Sequence, residues 1–336
     1  MSISPSPSRS PDYSAAESAA EPVFALPNSD AEYQQLAKQL LAEGYTHLPL
    51  YRETLADLDT PVSTYLKLAA KPYTYLFESV KGGDKWGRYS IIGLPCERIY
   101  RVEQNTLSCE VAGQEVERRE VENPLTAVRE LQAQYRVARV DGAPDMLGGL
   151  VGYFGYDIVG HIEPRLKQAS KTDDLQTPDI MLMVSQSVLV FDNLSGRIFM
   201  VTLADLSQPN AYQAAQAHLD HCVEGLASSF AAPRAEHLAP PVQEEHYDVH
   251  FAQADFEAAV ERCRDYIRDG DIMQVVLSQR LSVPYAGRSF DVYRALRTIN
   301  PSPYMYFMDM GGFEIVGSSP EILVRLADNT VTVRPI

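Results

Sequence analysis

At 336 residues, with 45% apolar and 22% charged side chains, the chain has room for one large domain or two ordinary ones and the composition of a soluble globular protein. A formal charge of −16, without a cluster of Lys and Arg, excludes a nucleic-acid partner, because a phosphate backbone is met by clustered cations. A dianionic small molecule stays open, since a few local cations override an acidic surface. Cys96, Cys109, Cys222 and Cys263 lie far apart with no CxxC, and read as reduced thiols of a cytoplasmic protein. No apolar run is long enough to span a bilayer, so no membrane partner is expected.

Residues 1–30 are expected to be a disordered leader, rich in Ser, Pro and Ala with Arg9 its only basic residue. Tyr33, Leu36, Leu40 and Leu41 then fall at helical spacing, with Gly44 as the stop. Tyr45 to Glu53 reads as a strand. Thr60-Pro61 opens a helix that Pro72 ends, with Val62, Tyr65, Leu66 and Ala69 on one face. Tyr75 to Pro95 predicts two strands around a Gly82-Gly83 turn, holding the single tryptophan, Trp86. Strands follow over Arg98–Val102, Thr106–Val111 and Gln114–Arg119, then a helix from Pro124 with Leu125, Val128, Leu131 and Tyr135 inward.

The run Gly148-Gly149-Leu150-Val151-Gly152-Tyr153-Phe154-Gly155 lacks the order of a phosphate loop. Its glycines predict close approach of a second backbone. Met181 to Phe191 reads as one apolar strand, returned by Arg197 to Leu203, and Ala211 to Leu226 as a helix. A first domain over 31–227 would end at a Pro-rich, charged linker over 228–249, with a second domain beginning at 250. There, Phe256, Ala259, Val260, Cys263, Tyr266 and Ile267 make a helical stripe closed by Gly270. Ile272 to Leu281 reads as a strand, followed by a helix over Phe290–Ile299. Hairpins are expected across Gly311-Gly312 and across Asp328-Asn329. Hairpin-joined strands with helices packed outside give an α+β fold built on antiparallel sheets.

Two places have chemistry to offer. On the Ile272–Leu281 strand, Gln274, Ser278 and Arg280 share a face, to be satisfied either by a ligand or by solvent at an edge. In Gly317-Ser318-Ser319-Pro320-Glu321, a carboxylate stands just after a strand, where it serves equally as a catalytic acid or beside a helix N-cap.

Blocks running in order through the chain are ETLADLDTPVSTYLKLA, YLFESVKGGDKWGRYSIIGLP, GGLVGYFGYD, GDIMQVVLSQR, NPSPYMYF, GSSPEILVR and VTVRPI. In this series the chain from about Ala31 to Ile336 resembles anthranilate synthase component I, of the chorismate-utilising enzymes. That resemblance implies an α+β, two-domain sandwich of antiparallel sheets packed with helices. It implies amination of chorismate at C2, loss of the C4 hydroxyl and elimination of pyruvate, with Mg²⁺ on a substrate carboxylate. It also implies ammonia from a glutamine amidotransferase subunit, hence a hetero-oligomer, and feedback inhibition by L-tryptophan. By position, Glu321 matches the acid that protonates the departing hydroxyl. Gln274 stands where water-using relatives carry a lysine; an amide is no base, which fits ammonia as nucleophile. Ser79, with Pro303, Tyr304 and Met305, matches the tryptophan site, Phe77 departing from the family's usual Leu-Leu-Glu-Ser. The resemblance puts the metal ligands beyond Ile336. The chain therefore reads as a truncated product with little activity by itself. Aminodeoxychorismate synthase, or an inactive fragment that binds tryptophan or the glutaminase, is the alternative.

Overall fold

A computed structural model describes residues 22–79, 87–166, 173–229, 242–243, 246–327 and 330–333. The chain divides into two compact units, Met1–Phe230 with Leu296–Ile336, and Ala231–Ala295. The Gly82-Gly83 turn, Trp86 and the Asp328-Asn329 turn lie outside the described residues, as does the leader up to residue 21.

In the first unit, helix α1 (Asp30–Ala42) starts where Ser29 Oγ accepts the Glu32 N–H at 3.3 Å. It buries Tyr33, Ala37 and Leu40, leaving Leu41 exposed, and Gly44 turns the chain away at φ +81°. Strand β1 (His47–Leu55) follows. Thr60 and Ser63 form a reciprocal capping box over Pro61–Thr64, after which the ladder widens into a π-turn over Tyr65–Ala69. That turn is tied down at both ends. Tyr65 OH and Thr74 Oγ1 are 2.8 Å apart, and Lys67 Nζ reaches Asp59 at 2.8 Å and the Leu226 carbonyl at 2.7 Å.

Strands β2 (Thr74–Glu78), β3 (Tyr89–Gly93), β4 (Arg98–Glu103), β5 (Thr106–Val111) and β6 (Gln114–Glu120) precede helix α2 (Pro124–Ala133), capped by Asn123. Strand β7 (Gly149–Phe154) is the glycine-rich run. The expected Met181–Phe191 strand is two strands, β8 (Ile180–Ser185) and β9 (Ser187–Asp192), which belong to different sheets. Both halves are apolar and almost wholly buried, so hydrophobicity carries no mark at Gln186, where the chain passes from one sheet to the other. Strand β10 (Arg197–Asp205) and helix α3 (Ala211–Ala227) continue the chain, and β11 (Tyr304–Asp309) and β12 (Glu314–Ser319) complete the set.

Seven strands in the order β12–β11–β2–β3–β9–β10–β1 make one sheet, and five in the order β6–β5–β4–β8–β7 the other, antiparallel throughout. A core containing Tyr75, Ile99, Met181, Met183, Val190, Val201 and Met308 draws on both sheets, so the two pack face to face. The other face of the five-stranded sheet packs Tyr100, Leu107 and Leu182 against Ala127 and Leu131 of α2. Helix α3 covers the seven-stranded sheet at β10, burying Ala215, Leu219, Cys222 and Leu226. The layers run helix, sheet, sheet, helix: the α+β architecture the pattern implied. Every residue of β6 is exposed, and Arg118–Glu115 and Arg119–Glu117 pairs keep that edge charged.

The second unit departs more from expectation. Helix α4 (Gln253–Asp269) forms and is closed by Gly270 at φ +83°, with the Asp271 N–H returning to the Tyr266 carbonyl at 2.9 Å. None of its residues is buried; Val260, Tyr266 and Ile267 are 37, 38 and 45% exposed. Ile272–Leu281 is not a strand except at its end, where Leu281–Ser282 pairs with Asp248–Val249. A strand is a paired state, and alternation in one segment does not supply the partner. Met273, Val275 and Leu281, which alternation sets on one apolar face, accordingly stand 95, 46 and 52% exposed, so that face is not buried. Helix α5 (Ser289–Ile299) runs from this unit into the first.

Candidate functional site

Strands β2 and β11 lie side by side, with Met305 opposite Glu78, Tyr306 opposite Phe77 and Met308 opposite Tyr75. The ladder ends at the Met305–Glu78 pair, and Ser79 and Tyr304 are the next residues of the two segments. Alternation puts Tyr75, Phe77 and Ser79 on the face shared with Tyr306 and Met308, toward the core between the sheets. The Tyr75 and Phe77 rings meet there at a 31° tilt, 4.7 Å between centroids. Ser79 Oγ is buried without a hydrogen-bond partner, and an orphaned hydroxyl of this kind costs about 1–3 kcal/mol. A ligand group would satisfy it.

The segment leading into β11 is fixed by its own side chains. Ser318 Oγ donates to the Asn300 carbonyl at 2.7 Å, Ser302 Oγ donates to the Ser319 carbonyl, and the Tyr304 N–H reaches Ser302 Oγ at 3.4 Å. Gly317, opposite Tyr306, takes the tyrosine ring across its α-carbon, where a Cβ would collide with it. Ser79 and Tyr304 are thus brought together, with Pro303 beside them in sequence. Met305 is 1% exposed and by alternation faces the other side of the sheet with Glu78.

On that other side lies a feature the sequence reading missed. Arg297 Nη2 donates to Glu78 Oε1 at 2.9 Å, and its Nε lies 2.9 Å from Oε2 without a hydrogen bond of its own. The Glu78 side chain is 2% exposed. A carboxylate inside the strand Thr-Tyr-Leu-Phe-Glu was the available signal, but its partner is 219 positions away.

Glu321 sits two residues past β12, half-buried, in a tight turn where Ser319 Oγ donates to the Glu321 carbonyl at 2.9 Å. No helix follows it before Arg325–Ala327, so the N-cap alternative is removed. Gln274 is exposed in the irregular stretch of the second unit. Glu321 and Gln274 therefore belong to different units.

A concavity of the first unit, about 850 Å³, is lined by Lys71, Gln186, Asp205, His218, His221 and Cys222 among others, away from Ser79 and Tyr304. Burial, then the charge of His221, lowers the pKa of His218, while burial pushes Cys222 up to about 11 and Cys96 up to about 12. These thiols stay protonated and unreactive at neutral pH. Among the described residues no three His, Cys, Asp or Glu side chains come together as a metal site, and no helix is long and apolar enough to cross a membrane.

Comparison with known proteins places this geometry. Residues 73–336 match the family described as chorismate binding enzyme. The chain belongs to that family. It is 51% identical over 299 residues to anthranilate synthase component 1 of Pseudomonas aeruginosa, covering 89% of this chain and 61% of that protein. With the protein of the same name from Neisseria meningitidis serogroup C it shares 45% over 313 residues, 92% of this chain and 62% of the relative. The chain thus spans about three fifths of the length of the curated relatives it matches. Among solved structures, anthranilate synthase component I from Streptococcus pneumoniae superposes with a TM-score of 0.58 at 30% identity, over 83% of this chain and 60% of that one.

Proposed function

We propose that this chain works as part of an anthranilate synthase large subunit, which converts chorismate and ammonia to anthranilate and pyruvate. The observation that carries the proposal is identity of 45 and 51% across about nine tenths of the chain to proteins of that name. In this reading Glu321 protonates the C4 hydroxyl as it departs, after nitrogen has added at C2. A neutral carboxylic acid is required for that step, and the two carboxylates of chorismate beside it would favour the protonated form. Gln274 supplies an amide where a base is not needed, because ammonia is already a nucleophile. Ser79 and Tyr304 would take L-tryptophan as feedback inhibitor, the orphaned Ser79 hydroxyl gaining its hydrogen bond. A glutaminase partner would supply the ammonia. Mg²⁺ would neutralise a substrate carboxylate, and the described residues offer it no ligand cluster. The test is turnover of chorismate by the complete subunit with ammonium and Mg²⁺. Anthranilate, followed by its fluorescence, is expected. Isochorismate or 4-amino-4-deoxychorismate as the product overturns the proposal.

A further inference from the structure

Strand β2 ends on two consecutive residues with opposite surroundings. Ser79 has a buried hydroxyl with no hydrogen-bond partner among the described residues, and Glu78 is held by Arg297. Arg297 lies near the end of α5, three residues ahead of Asn300, which begins the Asn300–Pro303 segment. That segment is anchored by Ser302 and Ser318 and leads into β11, whose Met305 pairs with Glu78. The contacts close a ring: Glu78 to Arg297 by charge, Arg297 to Met305 along the chain, Met305 back to Glu78 in the ladder. The ion pair is the side-chain link of that ring.

Glu78 is 2% exposed but the Arg297 side chain is 37% exposed, and a pair open to water on one side adds little net stability. What it supplies is a fixed geometry. We propose that Arg297 is a positioning residue for the Ser79 pocket. Paired with Glu78, it fixes the strand end that leads into Ser79. In doing so it sets how tightly the pocket holds its ligand. The inference rests on the reading of that pocket as the tryptophan site.

The experiment uses Arg297→Gln and Arg297→Lys, with Ser79→Phe as the pocket control, and two readouts. Hydrogen exchange of the Glu78, Ser79 and Met305 amides reports the strand end without any ligand. Titration with L-tryptophan reports the pocket. Arg297→Gln is expected to speed exchange at those amides and to weaken tryptophan binding, each by about tenfold, in the range of ordinary site-to-site coupling. Amides at Leu189 and Val201 in the middle of the sheet should be unchanged. Arg297→Lys, which keeps the charge and one hydrogen bond, should restore both quantities. Unchanged exchange in Arg297→Gln overturns the proposal. So does acceleration spread evenly over the sheet, or faster local exchange with unaltered tryptophan affinity. If the parent chain ignores tryptophan and Ser79→Phe changes nothing, the effector reading fails by itself. The exchange data still decide whether Arg297 holds the strand end.

Discussion

In the proposed reaction Glu321 carries the greatest chemical demand of any residue, because that step requires a group that holds a proton at neutral pH and releases it to a departing hydroxyl. Its backbone is pinned by Ser319, and the side chain is half-buried. Glu321→Gln in the complete subunit is expected to lower kcat by about 10² to 10⁴, the usual worth of a positioned general acid. Tryptophan affinity should be unaffected, since Ser79 and Tyr304 are untouched. A kcat within a factor of three of the parent, which is roughly 0.7 kcal/mol, would remove Glu321 from the acid's role. At this scale the sequence was informative about identities and silent about partners. Glu321 and Ser79 stood out as polar residues at strand ends, whereas no local pattern joins Glu78 to Arg297. Long-range charge pairs leave no period to read.

Among the elements, close backbone approach at the glycine-rich strand was legible and is observed. Gly152 stands opposite Leu182, and a Cβ there would run into the Met181 carbonyl. Gly152→Ala must therefore push β7 from β8, and is expected to cost more than about 2 kcal/mol, as overpacked cores do; urea unfolding measures it. The turn after β9 has a different safeguard. Arg88 donates to both carboxylate oxygens of Asp192, at 3.0 and 2.8 Å, and with the Leu194 and Ser195 amides lowers its pKa from 3.8 to about 2. A depressed carboxylate stabilises the fold above its unfolded value and loses that contribution as pH falls through the folded one. Asp192→Asn should thus narrow the gap in thermal midpoint to the parent between pH 4 and pH 2, having been less stable at pH 7. An identical gap at both ends of that range would show the pair to be idle. The three strands from Arg98 to Glu120 were legible because alternation and turns coincide. The break at Gln186 was not, because both flanking strands are buried on both faces.

For the molecule as a whole, composition and charge set the class, and the ordered blocks set the family. The layers of the first unit follow from amphipathic periods that each element shows locally. The second unit is where periodicity misled: Ile272–Arg280 has the alternation of a strand without a ladder partner among the described residues, and α4 has its stripe without burial. The proposed function depends on position 274 offering an amide and no titratable amine. The most direct measurement gives the complete subunit chorismate with ¹⁵N-labelled ammonium and follows the label by NMR. Nitrogen-15 on the ring carbon ortho to the carboxylate of the product is the predicted result. Unlabelled hydroxylated product, or label para to the carboxylate, would contradict it.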